Sequence, residues 1–257
     1  MPHMMTSRPR LYSPMHKKEN RDAHLRWETI NALTYKLGGL GFIVASILFL
    51  PSLSGLHFLA AGLFFLASLC YLLVTLHDLV ETLRYWLGHQ SDTFGRAGEI
   101  LSVASYFIAS LLFTLGSLYF LPDWGSEAAG AWCFIIGSGL FMLGATLNLP
   151  QIVTAPTKRC VVLFNLTLVT FLIGSALFLV ASVPYLMQFP STTTAVEIQR
   201  LAVGQFIAAS ALFLLGGLFI YWRLYVMKSL EASDTPSRAG KWAIRALGRE
   251  IEHEKVR

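Results

Sequence analysis

Residues 100–122 read ILSVASYFIASLLFTLGSLYFLP and contain no Asp, Glu, Lys or Arg. The stretch is longer than the about 20 apolar residues that an α-helix needs to cross the hydrocarbon core of a bilayer. Its apolar residues do not alternate strictly with polar ones, as they would in a transmembrane β-strand. The stretch therefore predicts a membrane-spanning helix.

The composition of the whole chain agrees with this prediction. Of its 257 residues, 54% are hydrophobic and only 14% are charged, and the mean hydropathy is +0.56. Soluble proteins carry about 25% charged residues. A disulfide scaffold is excluded because the chain has only three cysteines. We conclude that the chain is an integral membrane protein.

Four further stretches lack charged residues, over 37–77, 128–157, 160–196 and 201–222. The first is long enough for two helices, and the segment Pro51-Ser-Leu-Ser-Gly-Leu-His57 divides it. We therefore predict an all-α, polytopic membrane protein with six transmembrane helices, near 32–51, 58–77, 100–121, 131–149, 161–186 and 202–223.

The basic residues predict the orientation. Nineteen of the twenty Lys and Arg residues lie in segments on one side of the predicted spans, and the other side carries only Arg200. Because cytoplasmic segments keep the positive charge, we expect both termini in the cytoplasm and the protein in the inner (plasma) membrane of the cell. The polar leader does not resemble a cleaved signal peptide, although its basic first 18 residues leave organelle targeting as an alternative.

The net charge of +5 does not indicate a nucleic-acid partner. Its excess lies in the two terminal segments, where it sets topology and faces anionic lipid headgroups. The partners that we expect are the lipid bilayer and either another membrane protein or further copies of the chain.

A heptad of aromatic and small residues recurs in every predicted span. Its pattern is aromatic-x-x-small-Ser-x-x-aromatic, with Ser46, Ser68, Ser110, Ser138, Ser175 and Ser210 at the serine position and second copies at Ser117 and Ser182. Residues seven apart lie on one stripe of a helix, and small residues let neighbouring helices approach closely. We interpret the heptad as a packing seam. A polar path for a solute, lined by these serines, is the alternative.

Uncharged polar residues concentrate in the last three spans, namely Asn148, Asn165, Thr167, Thr170 and Gln205. They are candidates for a polar pocket, but hydrogen bonding between helices is the interpretation that we prefer. The spans contain no charged residue to mark an ion pathway.

The spans pair as three hairpins, over 31–78, 99–150 and 160–226. A polar basic segment, 1–30, precedes the 31–226 membrane domain, and a cytoplasmic tail, 227–257, follows it. From about Ser237 the tail has the pattern of a basic amphipathic helix, which predicts binding to the membrane surface or, alternatively, docking to a partner.

The first hairpin resembles the YrhK-like family. Its segment Arg26-Trp-Glu-Thr-Ile-Asn31 is followed by Phe-x-x-Ala-Ser46 and then by Phe-x-x-Ala-Ser68 in the next helix. The resemblance is best over 26–78 and recurs more weakly over 95–150 and 159–226. It implies two-helix bacterial membrane domains with Gly-Ser or Ala-Ser in each helix, and it implies no activity.

One cluster has the spacing of metal ligands. His77 and Glu81 lie one helical turn apart beside Asp78, and His89 is the nearest further histidine. A solvated helix extension, with Asp78, Glu81 and Arg84 facing water, is the interpretation that we prefer. We therefore predict no metal site and no cofactor here.

No signature of an enzyme is present in the chain. Cys70, Cys133 and Cys160 lie at no metal-ligand spacing, and no nucleophile elbow, phosphate loop or His-Glu-x-x-His motif occurs. We predict no catalytic, cofactor-binding or metal residues. The expected function is that of a non-catalytic accessory, assembly or scaffold protein, and the alternative is a channel or transporter for a small neutral or weakly polar solute.

Overall fold

A computed structural model describes residues 18–88, 93–121, 125–148 and 157–234. All regular structure in these four ranges is helical, and six of the helices are long and apolar enough to cross a membrane. The prediction of an all-α chain with six such helices is confirmed. Their bounds are α1 Lys18–Leu48, α2 His57–Gly88, α3 Thr93–Tyr119, α4 Glu127–Leu147, α5 Lys158–Ser182 and α6 Thr192–Asp234.

The predicted helix bounds were too short, and for α6 at both ends, since it begins at Thr192 instead of residue 202. Helix α1 begins at Lys18 instead of residue 32, α2 continues to Gly88, and α6 continues to Asp234. A charge-free window marks only the apolar part of a helix, whereas backbone hydrogen bonding continues through polar residues. The leader before Lys18, residue His89 and the amphipathic tail predicted from Ser237 lie outside the described residues.

The divide between the first two helices is a short 3-10 helix, Pro51–Leu56. Proline occupies its first turn, where the missing N–H leaves no hydrogen bond unmade. A second 3-10 helix, Val183–Leu186, also contains an early proline and follows α5. These tight segments let consecutive helices return side by side.

The six helices form a closed ring. Each helix contacts the next one along the chain, and α1 also contacts α6. Helix α2 contacts α3 as closely as it contacts α1, so the division of the bundle into three hairpins stays a prediction. We name as the basic end the end at which α1, α3 and α5 begin, since the described residues Arg84, Arg96, Lys158 and Arg159 lie there.

The aromatic residues of the heptad fill the middle of the ring. Phe42, Phe113 and Phe178 hold equivalent positions in α1, α3 and α5, and all three are almost fully buried. The ring centroids of Phe42 and Phe178 are 6.1 Å apart, and those of Phe113 and Phe178 are 5.3 Å apart. Such edge-on contacts are the arrangement that aromatic pairs prefer.

The small residues of the heptad face inward and receive these rings. A Cβ atom added at Gly137 would lie 2.8 Å from Cδ2 of Phe113, and one added at Gly144 would lie 2.9 Å from Cζ of Tyr106. Any larger side chain would therefore push the neighbouring ring away. The seam interpretation of the heptad is confirmed for the described helices, since its notches are buried between helices.

Candidate functional site

Polar and charged side chains form a buried layer at the basic end. Its most buried members are 0–7% exposed and come from several helices: Asn31, Asp78, Thr82, Glu99, Ser102, Asn148 and Arg223. The burial of a charged or amide group is costly unless it is hydrogen-bonded or paired. We call this set, together with His77, Glu81 and Trp86, the polar layer.

The first hairpin joins its two helices through an amide and an imidazole. Nδ2 of Asn31 in α1 donates to Nδ1 of His77 in α2 at 2.7 Å. His77 Nδ1 also lies 3.9 Å from Oδ1 of Asp78, which has a side chain only 5% exposed. The contact fixes the orientation of the imidazole ring beside a buried carboxylate.

The predicted ligand cluster does come together in space. His77, Asp78 and Glu81 each offer a ligand atom, and these atoms lie within 4.8 Å of one another. Ligands held at about 2.1 Å around Zn²⁺ stand about 3.4 Å apart, so the three would have to close in to bind one ion. The donor set suits a divalent cation chemically. The prediction of no metal site stays a prediction.

The first and second hairpins are joined by an indole and a carboxylate. Nε1 of Trp86, near the end of α2, donates to Oε2 of Glu99 in α3 at 2.8 Å. Both residues are buried, at 8% and 4% exposure. A charge-assisted hydrogen bond in so dry a place is among the stronger single contacts that a protein makes.

In the second hairpin, Asn148 is the centre of a buried network. Its Nδ2 donates to Oγ of Ser102 in α3 at 2.9 Å and to the carbonyl of Gly144 in its own helix at 2.9 Å. Ser102 in turn donates to the carbonyl of Gly144 at 3.0 Å. Side chain and backbone groups of α3 and α4 are thus tied together at the basic end.

The third hairpin brings a cation to the same layer. Arg223 of α6 is 5% exposed, and its Cζ lies 5.5 Å from the centroid of the Phe164 ring in α5. Nearby, Nζ of Lys36 in α1 lies 4.0 Å over the ring of Tyr221. Cation–π contacts of this kind shield part of a charge that has left water.

One predicted orientation in this region is wrong. Asp78 was expected to face water with Glu81 and Arg84, but it is only 3% exposed, while Glu81 is half-buried and Arg84 is exposed. Asp78 lies seven residues after Tyr71, on the helix face that is turned toward the bundle. Its position on this face, and not its charge, determines its burial. Because the described spans bury Asp78, Glu99 and Arg223, the expectation that they lack buried charges holds only for their middle.

The polar residues of the last three spans do not form a common pocket. Asn148 is fully buried, whereas Asn165 is exposed and Gln205 is half-buried on an outer groove. Thr167 and Thr170 donate to carbonyls of their own helix, at 2.8 Å and 2.9 Å. Hydrogen bonding between helices is confirmed for Asn148 alone.

The three cysteines are free, as expected. Cys160 is buried at the start of α5, and Cys70 and Cys133 are half-buried.

The members of the polar layer that the sequence did not single out are Thr82, Trp86, Glu99, Ser102 and Arg223. The heptad itself carried a signal for Glu99, which lies seven residues before Tyr106 on the inward stripe. Arg223 lies three residues after the buried Ile220, at the step where the heptad places its small residue. Extending the heptad beyond the apolar windows would have found both.

The hairpin architecture agrees with a family match. Residues 25–83 and 98–152 each match the family model of the YrhK-like protein. Both segments are YrhK-like. The predicted resemblance is thus confirmed over the first two hairpins, and each YrhK-like segment contains one pair of helices with its part of the polar layer. For 159–226 the resemblance stays a prediction.

Comparison of the chain with curated proteins and with solved structures gives no match.

Proposed function

We propose that the protein is a non-catalytic accessory or assembly protein of the inner membrane, which associates with a membrane partner or with further copies of itself. The observation that carries the proposal is the sealed aromatic centre of the helix ring. A bundle closed along its axis is suited to holding other proteins in place and not to passing a solute.

The layer of rings next to the end opposite the basic end supports this proposal. Phe49 and Phe120 lie 6.2 Å apart, and Phe120 and Tyr185 lie 5.1 Å apart, measured between ring centroids. Beneath them lies a cavity of about 10 Å³, which is close to the least space that can hold one water molecule. A continuous aqueous route does not fit between such rings.

Five of the eight heptad serines also support packing over a polar path, whereas Oγ of Ser110, Ser138 and Ser175 is buried without a hydrogen-bond partner in the described residues. The hydroxyls of Ser46, Ser117 and Ser210 each donate to the carbonyl four residues earlier in their own helix, at 2.7 Å. Ser68 and Ser117 additionally face each other at 3.1 Å across α2 and α3. Hydroxyls occupied in this way are not presented to a passing solute.

The helices that extend past the apolar spans offer a surface for a partner. Helix α6 has 43 residues and is therefore about 64 Å long, about twice the thickness of the hydrocarbon core. Helices α1 and α2 are also longer than a span requires, with 31 and 32 residues. All three lengthen the bundle at the basic end, which we propose to be cytoplasmic.

Cysteine labelling tests the proposed orientation. In a variant without Cys70, Cys133 and Cys160, a single cysteine is introduced at exposed Ser54 or at exposed Lys158. We expect a membrane-impermeant maleimide to label S54C in intact cells and K158C only after the membrane is opened. The reverse pattern would overturn the proposed orientation.

The mass of the gently extracted protein tests the proposed function. We expect native mass spectrometry from nanodiscs to give a defined multiple of 28.5 kDa or a stoichiometric complex with a second protein. Proteoliposomes containing the full chain are then assayed for the flux of glycerol and urea, with protein-free vesicles as the control. A monomer that conducts either solute would replace the proposal with the channel alternative.

A further inference from the structure

A space that polar and aromatic groups share lies at the end opposite the basic end, far from the polar layer. It is an open-mouthed cavity of about 500 Å³. This volume falls within the range of sites that bind small organic molecules. The cavity is lined by residues of α2, α4 and α6 and of the segments next to α1, α3 and α5.

The floor of the cavity is aromatic. Phe49, Phe120 and Tyr185 line it, and these residues hold equivalent heptad positions in the three hairpins. The same three rings also line the 10 Å³ cavity beneath, so they separate the open space from the packed centre. A ligand entering from this end would therefore rest on rings and go no further.

The wall of the cavity carries three polar side chains, His57, Glu127 and Gln199. Nε2 of His57 is buried, and it has no hydrogen-bond partner within the described part of the chain. The ring of His57 is held against Phe49, with centroids 5.8 Å apart. In the neutral tautomer that carries its proton on Nδ1, Nε2 of His57 accepts a hydrogen bond from a ligand.

The charge at this end is negative. Among the described residues of this end, Glu127 and Glu197 are acidic, and Arg200 is the single Lys or Arg residue. Glu127 is exposed at the start of α4 and lines the cavity. Acidic surroundings raise the local concentration of cations and lower that of anions.

We propose that this cavity binds an organic ammonium ion with an apolar body of about the size of one ring. The rings of the floor take the apolar body, and a ring face also attracts a cation. The carboxylate of Glu127 and the acceptor nitrogen of His57 receive the N–H groups of the ammonium. A neutral molecule of the same shape can pack on the aromatic floor but forms no ion pair with the carboxylate of Glu127. That carboxylate repels an anion.

Three probes of matched shape test the charge selectivity. They are 2-phenylethylammonium, 2-phenylethanol and 3-phenylpropanoate, titrated by saturation-transfer NMR against the full chain in zwitterionic nanodiscs, with empty nanodiscs as the blank. We expect the ammonium to bind about three-fold or more tightly than the alcohol, and the carboxylate to bind most weakly. Equal binding of the alcohol and the ammonium would overturn the proposal.

Two variants and one control locate the site. In Glu127→Gln the advantage of the ammonium over the alcohol should disappear, whereas Glu197→Gln, a carboxylate of the same end that does not line the cavity, should keep it. Ala195→Phe fills the cavity and should weaken all three probes. Retention of the ammonium preference in Glu127→Gln, or unchanged binding in a folded Ala195→Phe protein, would show that the probes bind elsewhere.

Discussion

The phenol of Tyr35 donates a 2.8 Å hydrogen bond to the backbone carbonyl of Phe213, which lies 178 residues away in the last helix. The ring of Tyr35 is also stacked on Tyr71, with centroids 4.5 Å apart. One side chain thus connects α1 to both of its neighbours in the ring. The closure of the bundle depends on this contact between the first and last helices.

Tyr35→Phe should weaken that closure without disturbing the stack. The variant keeps the ring and loses only the hydroxyl, so we expect the free energy of unfolding to fall by about 1 kcal/mol. An SDS unfolding titration in mixed micelles measures the change. Tyr119→Phe, at a residue 38% exposed, is the control and should be neutral. Equal losses in the two variants would mean that the bond contributes nothing.

A pair of glycines in one helix tests the inward notches. A Cβ atom at Gly137 would meet the ring of Phe113 at 2.8 Å, whereas a Cβ atom at Gly139 would meet nothing within 4 Å. We expect Gly137→Ala to cost about 1–3 kcal/mol through overpacking. Gly139→Ala should be neutral or stabilise the helix by up to about 1 kcal/mol. The melting temperatures of both variants are measured in the same detergent. A Gly137→Ala protein as stable as the unchanged protein would contradict close packing of Gly137 against Phe113.

The sequence predicted the middle of the bundle well, because one physical requirement sets that region. Lipid supplies no hydrophobic drive between helices, so they must fit closely. Small residues such as Gly137 and aromatic residues such as Phe113 then recur at a fixed spacing, which can be recognised in the amino-acid sequence. The number of spans followed from the same stretches, since each must cross a core of nearly constant thickness.

The ends of the helices were harder to predict. Charge was taken as a sign of exposure, yet Asp78 and Glu99 are buried at the basic end. What buries them is contact with other helices, for example the hydrogen bond from Trp86 to Glu99. Such a partner lies on another helix, and the sequence does not state which faces of two helices meet. The cavity at the opposite end was missed for the same reason, because its lining comes from all three hairpins.

Two buried serines of α3 differ in hydrogen bonding, and their variants test whether the bonded hydroxyl stabilises the bundle. Ser117 donates to the carbonyl of Phe113 and faces Ser68, whereas Oγ of Ser110 is buried and has no hydrogen-bond partner in the described ranges. We expect Ser117→Ala to lower the free energy of unfolding by about 0.6 kcal/mol. Ser110→Ala should leave it unchanged or raise it. The opposite ranking in an SDS titration would exclude packing as the role of Ser117.

Trp86→Phe tests the junction between the two YrhK-like segments. The substitution keeps a large apolar ring and removes the N–H that donates to Glu99. Hydrogen bonds to charged groups contribute about 1.5–3 kcal/mol, so we expect a loss in that range. Trp132→Phe, at a residue 54% exposed, should cost little. The comparison is made by thermal melts followed by circular dichroism, since the variants differ in tryptophan content. A loss of stability no larger than that of Trp132→Phe would show that the hydrogen bond from Trp86 to Glu99 does not hold the two segments together.

Asn148 and Asn165 were predicted from the sequence as members of one polar group, and the structure separates them. Asn148 is fully buried and donates to Ser102 of the neighbouring helix at 2.9 Å, whereas Asn165 is exposed on α5. Replacing each with Leu keeps the approximate size and removes the amide. We expect Asn148→Leu to destabilise the bundle by about 1 kcal/mol, because bonds between membrane helices average about 0.6 and reach about 1.7 kcal/mol.

Asn165→Leu should be neutral or stabilising, since it exchanges an exposed amide for an apolar group that lipid accepts. The two variants are compared in the same SDS titration, and a mixed double variant checks that their effects add, as they should for sites that share no partner. If Asn165→Leu cost as much as Asn148→Leu, an amide facing outward would be making a contact of its own. That contact would have to come from a second protein, and its loss would then appear as a change in the mass of the extracted complex.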